Sequence, residues 1–301
     1  MRKEKETRHA SPKKQKKAPK AKKTRKARRP QWVKNPAGED VLDYHVYEMS
    51  RTERLLYAAL AFVVGGLCGL VFYGGLFKKD GSATTLTLIA NAAVFVLTGI
   101  VAARLYLPIR EQQLMRARQR TLRTQFRDLL ESLASSMTVD TVEESFKAAY
   151  RDMAIQYTED AWITRELREI VAAGKNEISL EVMLEDFGQR SGCEDIQDFS
   201  NVFSACRRRG GRIAQIVRQT HDIIGEKMQI EDEITSKMSS NQLELNIIMV
   251  APVLIVGMLR LSNQTFAENF ASPMGVVVIT IGLGLFYLAY RMGRGIVDEV
   301  K

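Results

Sequence analysis

The chain of 301 residues is 46% hydrophobic, carries a formal net charge of +9 and gathers its apolar residues into four runs. This distribution excludes one evenly packed soluble core and indicates a membrane protein. The cysteines Cys68, Cys193 and Cys206 form no CxxC pair and have no clustered histidines beside them, so neither a disulfide framework nor a zinc site is predicted.

Residues 1–54 are predicted to be a disordered basic cytoplasmic tail and linker. The first 34 residues hold 16 Lys/Arg and 2 acids, whereas the rest of the chain holds 28 and 33. Because no Leu, Ile or Val precedes Val33, this segment cannot offset its ordering entropy. The part that follows is consistent with a short linker and an interfacial helix carrying Tyr44 and Tyr47. The basic residues favour anionic lipids, and the lack of interleaved aromatic residues argues against a nucleic-acid partner.

Four apolar runs are predicted to cross the membrane as helices. They make two transmembrane hairpins, one in residues 55–107 and one in residues 243–301, which ends in a short cytoplasmic C-terminus. Asp80-Gly81-Ser82 supplies the turn chemistry of the first hairpin. The runs are Leu55–Phe77, Leu86–Leu107, Leu245–Leu261 with a central Pro252, and Met274–Tyr290.

Basic residues flank these spans mainly on one side, so both termini and the block between the hairpins are expected in the cytoplasm. No ionisable residue lies near the middle of a span, and Arg104 and Arg260, close to span ends, are expected to snorkel to the interface. The paired intramembrane charges typical of a transporter are therefore missing. The flanking residues are Arg51, Arg54, Arg110, Arg116, Arg118, Arg120, Arg291 and Arg294, against Lys78 and Lys79 on the other side.

Residues 108–242 are predicted to form a cytoplasmic antiparallel bundle of six helices. Apolar residues recur there every three or four positions. The first such stripe is Leu122, Phe126, Leu129, Leu130, Leu133 and Met137. The later helices begin at Thr141, with a capping box to Glu144, at Thr158, at Ser179, at Glu194 and at Arg212; Gly174, Ser191-Gly192 and Arg209 mark three of their ends. The predicted fold class is an all-α membrane protein with four transmembrane helices flanking this bundle.

The most concentrated charge in the bundle lies at the end of the fifth helix. Two interpretations remain open for it, namely a favourable interaction with the helix C-terminal dipole and a docking patch for an acidic partner. The candidate partner-binding residues are Arg207, Arg208, Arg209, Gly210, Gly211 and Arg212.

The sequence contains none of the motifs expected of an enzyme. It has no Gly-rich phosphate loop and no nucleophile elbow, and His9, His45 and His221 occur singly. We therefore predict no catalytic residue, no cofactor and no metal.

The order of these features resembles the type II secretion system F domain family. The sequence IQDFSNVFSACRRRGGRIAQIVRQT over Ile196–Thr220, followed by a polar stretch and a span with Pro252, carries the resemblance. Leu122–Met153 resembles the opening hairpin of that domain, and Ser179–Gly192 with the preceding Ala-Ala-Gly-Lys resembles its middle. The family usually turns its first hairpin on an Ala-Gly, whereas this chain has Met137-Thr138-Val139-Asp140-Thr141, and the basic tail is outside the family pattern.

The arrangement of two spans, one F domain and two spans is similar to the tight adherence (Flp) pilus assembly proteins. The resemblance implies a non-enzymatic platform in the bacterial inner membrane, for a type IV/Flp pilus or a type II secretion-like machine. Its implied partners are a cytoplasmic secretion ATPase, pilin subunits and a paralogous F-domain membrane protein, in a homo- or hetero-oligomer. The alternatives are a transporter or channel subunit, and a membrane-tethered nucleic-acid binder that works through the tail.

Overall fold

The computed structural model describes residues 30–75, 85–138 and 141–299. The structure is 83% helical, and its strands within those ranges are two segments of three residues each. This confirms the predicted all-α class. The predicted turn at Asp80-Gly81-Ser82 lies outside the described ranges, as do Lys78, Lys79 and the tail before residue 30.

The first two helices pack along each other. Helix α1 covers Arg51–Tyr73 and α2 covers Thr85–Ser136, and both are long and apolar enough to cross a membrane. A Cβ added to Gly69 would overlap the side chain of Thr98, and one added to Gly99 would overlap Phe62. Glycine at these positions therefore allows the two backbones to approach closely.

Two very long helices join the apolar stretches to the bundle. Helix α2 continues through Pro108 for 52 residues, so the second predicted span and the first bundle helix are one element. Helix α7 covers Ile213–Ser262 and likewise joins the predicted sixth helix to the third span. A short α8 over Gln264–Phe270, which the sequence did not predict, leads to α9 over Pro273–Glu299. Within α7 and α9, the apolar stretches are Asn246–Ser262 and Pro273–Ala289.

Four shorter helices lie between α2 and α7. These are α3 over Val142–Tyr157, α4 over Trp162–Ala173, α5 over Leu180–Ser191 and α6 over Glu194–Arg209, with a 3₁₀ turn over Gly174–Asn176. The predicted bounds of α6 and the starts of α3 and α5 are confirmed.

Two local predictions about these helices are wrong. Helix α4 begins at Trp162 rather than at Thr158, because Thr158 has a φ of 76° and cannot continue a right-handed helix. At the start of α3, the Thr141 hydroxyl accepts a hydrogen bond from the Glu144 amide at 3.4 Å. The Glu144 carboxylate, however, pairs with Lys147 at 2.7 Å instead of completing the capping box.

The apolar stripes of α2 to α7 meet in one core. The predicted stripe of α2 is fully buried from Leu122 to Leu133, and the Phe126 and Phe199 rings pack edge to face with centroids 5.4 Å apart. Burial of such side chains contributes about 1.5–3 kcal/mol each relative to exposure. Other fully buried members are Phe146, Met153, Ile163, Leu167, Phe187 and Phe203.

Residues 30–50, before α1, are folded, which corrects the predicted disorder of residues 30–34 and the predicted linker that follows them. Strand β1 over Trp32–Lys34 pairs antiparallel with β2 over Asp40–Leu42. Tyr44 is only 1% exposed and joins the core cluster. The predicted interfacial helix carrying Tyr44 and Tyr47 is also wrong, because both residues precede the start of α1. We call residues 31–50 the N-terminal strap.

Arg260, near the end of the third predicted span, contacts the end of α1. Its guanidinium donates to the carbonyls of Leu70, Val71 and Gly74 at 3.0, 2.8 and 2.5 Å. These carbonyls lie at the end of α1, where the last carbonyls of a helix lack intrahelical partners; that of Leu70 also accepts from the Gly74 amide at 2.8 Å. A cation there also interacts favourably with the negative end of the helix dipole. Arg260 therefore ties α7 to the end of α1.

Candidate functional site

The candidate arginines lie at the end of the bundle that is far from the apolar stretches. In α2 the chain runs from Leu107 to Ser136, and in α7 it runs from Ile213 to Asn246. At 1.5 Å per residue, each path is on the order of 45 Å long. The turn between α6 and α7 is therefore at the tip of the bundle, together with the start of α3 and the start of α5.

Arg207 differs from its neighbours because it is used within the bundle. Its guanidinium makes a close ion pair with Glu143 of α3 and another, at 2.5 Å through Nε, with Glu181 of α5. The hydrogen bond from Arg207 is the main reason why the pKa of Glu143 is lowered. Arg207 thus fastens the end of α6 to two other helices.

Arg208, Arg209 and Arg212 are exposed. Among the residues that the structure describes, none of the three has an ion-pair partner. Gly210 ends α6 with a φ of 71°, and its neighbour Gly211 donates from its amide to the Cys206 carbonyl at 2.9 Å. Gly210 therefore supplies the left-handed residue of the turn, and the exposed arginines Arg208, Arg209 and Arg212 lie on either side of it.

A cavity of about 250 Å³ lies beside the Arg207 ion pairs. Glu143, Lys147, Glu177 and Arg207 contribute polar groups to its wall. Its apolar wall is formed by Phe146, Ile170, Val171, Ile178 and Leu180. No sequence signal pointed to it, because its lining comes from three stretches of the chain, residues 143–147, 170–180 and 207, that meet only in the fold.

The other end of the bundle is held by a chain of ion pairs between three helices. Arg123 of α2 pairs with Asp195 of α6 at 2.7 Å and with Glu231 of α7 at 2.8 Å. Lys227 of α7 also pairs with Asp195 at 2.7 Å, and this hydrogen bond raises the pKa of Lys227. The long helices α2 and α7 are therefore tied together on their way to the apolar stretches.

A buried polar network anchors the strap to the bundle. The Tyr44 hydroxyl donates to Glu166 at 3.0 Å, and Arg190 donates to both oxygens of Glu166 at 3.1 and 2.9 Å. Arg190 also donates to the Leu42 carbonyl at 2.8 Å. Burial, followed by the charge of Glu166, raises the pKa of Tyr44. Burial opposes the charge of Arg190, but its acidic partners Glu166 and Asp186 outweigh this and raise its pKa.

A second contact holds the strap through aromatic rings. The Arg118 guanidinium of α2 lies 4.5 Å from the ring centroid of Tyr47 and 4.9 Å from that of Trp162. Such cation–π contacts contribute about 0.5–2 kcal/mol each. Sequence reasoning assigned Arg118 only to the membrane flank, because its two aromatic partners are distant along the chain.

Residues 127–260 match the family model described as Type II secretion system (T2SS), protein F. The matched segment is similar to the T2SS protein F domain. The match confirms the predicted resemblance, and it fits a family of inner-membrane platforms for secretion or pilus assembly. The matched segment begins near the end of α2, contains α3 to α6 and ends in α7 at Arg260, so the tip arginines lie within it. No curated protein and no solved structure matched the chain.

Proposed function

We propose that this chain is a platform protein of the bacterial inner membrane that couples a cytoplasmic ATPase to pilin assembly or secretion. The observation that carries the proposal is the F-domain match over a helical bundle that is continuous with apolar helices. In this role the chain performs no catalysis, and the energy comes from the ATPase partner.

The proposed topology has four spans, with the six-helix bundle and both termini in the cytoplasm. The arginines that flank the apolar stretches support this orientation. It predicts that a cysteine placed at Asn269, between the last two spans, reacts with a membrane-impermeant thiol reagent added outside the cell. A cysteine at Gln189, in the bundle, should react only after the membrane is opened. External labelling of Gln189→Cys would overturn the topology.

Continuous helices give the proposed coupling its physical basis. Because α2 and α7 pass from the bundle into the apolar stretches without a break, a displacement of the bundle acts directly on two spans. The ion pairs of Arg123 with Asp195 and Glu231 keep the two helices together. The strap adds a third connection, to α1.

Arg208, Arg209 and Arg212 are the proposed docking residues for an acidic surface of a partner. They project from the tip and have no described ion-pair partner, so their charges are available. The resemblance implies that larger platforms carry two F domains in one chain, so a paralogous F-domain protein is the expected companion beside the ATPase. Arg207 is left out of this surface, because its charge is already paired.

The proposal is tested in the host by deleting the gene and measuring surface pilin or secreted protein. Loss of export, restored by the wild-type chain, is the expected result. Arg208→Glu/Arg209→Glu should restore less, and should recover less ATPase or paralogue on co-purification, with unchanged helical content by circular dichroism. Exposed charges contribute about 0–1 kcal/mol to stability, so the fold should survive. Normal export without the gene would refute the platform role.

A further inference from the structure

The outer face of the strap carries an exposed tryptophan beside a basic residue. Trp32 is 54% exposed, and Lys34 is exposed on the same face because side chains two residues apart share a face of a strand. Val33 points to the opposite face, where its cross-strand partner Val41 is 5% exposed. On the Trp32/Lys34 face, the cross-strand partners are the buried Leu42 and the exposed Asp40. The exposed part of this face therefore consists of Trp32, Lys34 and Asp40.

This face lies close to the point where α1 begins. The Gln31 side chain accepts a hydrogen bond from the Glu48 amide at 3.1 Å. Glu48 is three residues before Arg51, a reach of at most about 10 Å in an extended chain. At the same end of α1, the Arg110 guanidinium lies 5.0 Å from the ring centroid of Tyr57. Aromatic and basic side chains are thus gathered beside the entry of α1.

We infer that the strap rests on the anionic inner surface of the membrane, with Trp32 in the headgroup layer and Lys34 beside lipid phosphates. A single exposed apolar residue is ordinary on a soluble surface. Here, however, the tryptophan shares its face with a lysine and is held next to a spanning helix. Tryptophan is enriched at membrane interfaces, and basic residues near an anionic surface are attracted to it.

The inference goes beyond binding of the basic tail, because it assigns a lipid contact to a folded hairpin. It rests on α1 crossing the membrane and does not depend on the secretion role. A failed lipid contact would therefore leave the platform proposal intact. Failure of the platform proposal would likewise leave the lipid contact intact.

The chain has two tryptophans, Trp32 and Trp162, which allows a direct test. The full chain is placed in nanodiscs of phosphatidylcholine and phosphatidylglycerol with brominated acyl chains. Bromine quenches tryptophan emission on contact. In one set of discs the bromine lies near the headgroup, and in the other it lies near the end of the acyl chain. Trp162→Phe reports on Trp32 alone. If Trp162→Phe does not fold, the emission of Trp32 is obtained by subtracting the emission of Trp32→Phe from that of the wild type. Trp32→Phe should fold, because Trp32 is exposed.

We expect Trp32 to lose most of its emission with bromine near the headgroup and less with bromine at the chain end. Trp162, which packs against Arg118 in the bundle, should keep its emission with both. Lys34→Glu should reduce the quenching of Trp32 in anionic discs more than in discs of phosphatidylcholine alone. A Trp32 signal that neither bromine position quenches would overturn the inference, whether the residue then faces water or another protein. An equal effect of Lys34→Glu in both lipid mixtures would refute the phosphate contact.

Discussion

Replacing Arg190 by Met should destabilise the bundle by about 3–5 kcal/mol, because it leaves a buried carboxylate without its charge partner. The side chains of Arg190 and Glu166 are 8% and 5% exposed, and they share two hydrogen bonds of 3.1 and 2.9 Å. After the substitution, the Tyr44 hydroxyl is the remaining described side-chain donor to Glu166. One neutral donor contributes only about 1 kcal/mol, which cannot offset the desolvation of the charge.

Thermal unfolding of the full chain in nanodiscs, followed by circular dichroism, measures this loss. For a bundle of this size, 3–5 kcal/mol corresponds to a fall in Tm of roughly 10–20 °C. The matched control is Arg165→Met, because Arg165 pairs with Asp160 at 41% and 90% side-chain exposure and should cost about 0–1 kcal/mol. Adding Glu166→Gln to Arg190→Met should recover part of the loss by removing the unpaired charge. A Tm for Arg190→Met no lower than that of the control would refute the reasoning.

Two further predictions concern the contact of α1 with α2 and the tip. Gly99→Leu should cost about 1–3 kcal/mol by overpacking against α1, whereas Gly282→Leu, with open space around its Cβ position, should leave the Tm of the solubilised chain unchanged; equal effects would contradict the packing. Arg207 lowers the pKa of Glu143 below its usual 4.5, so the pair stabilises fully above pH 4.5 and its contribution is lost as pH falls through the lowered folded-state pKa. The Tm difference between the wild type and Arg207→Gln should therefore shrink on acidification below pH 4.5, and a constant difference would argue against this ion pair.

The bundle helices could be predicted from the sequence because their signals are local. Apolar spacing identified the buried stripe of α2, and the acidic start and glycine end of α6 placed its bounds correctly. The start of α4 was missed because the left-handed φ of Thr158 has no reliable local signature in a residue that usually avoids it. Helix α2 also continues through Pro108, although a proline usually kinks or ends a helix.

The strap was missed for a different reason. The high positive charge of the first 34 residues led to a prediction of disorder. The strap that begins within them is stabilised by residues that are distant along the chain. Tyr44 is held by Glu166, which lies 122 residues away along the chain. No periodicity in the sequence reports such a contact, so the anchor became visible only in the fold.

The charged turn after α6 could be predicted from the sequence, but the different contacts of its arginines could not. The Arg207–Arg209 run and the two glycines are contiguous, so the sequence indicated one charged turn. It could not show that Arg207 reaches Glu143 and Glu181 while Arg208 and Arg209 stay exposed, because this depends on how α3 and α5 pack beside α6. A charge reversal that includes Arg207 would therefore mix a loss of bundle stability with a loss of docking.

The connections of the bundle differ from one apolar helix to the next. Helices α2 and α7 are continuous with it, and α1 begins seven residues after the buried Tyr44, a distance of about 23–25 Å at full extension. Helix α9 is joined through α7, the short α8 and a hydroxyl contact between Tyr73 and Thr280 at 3.1 Å. In the proposed platform, a displacement of the bundle therefore acts first on α1, α2 and α7. Because Arg260 also fixes α7 to the far end of α1, these two helices are held at both ends and should move together, with α9 following.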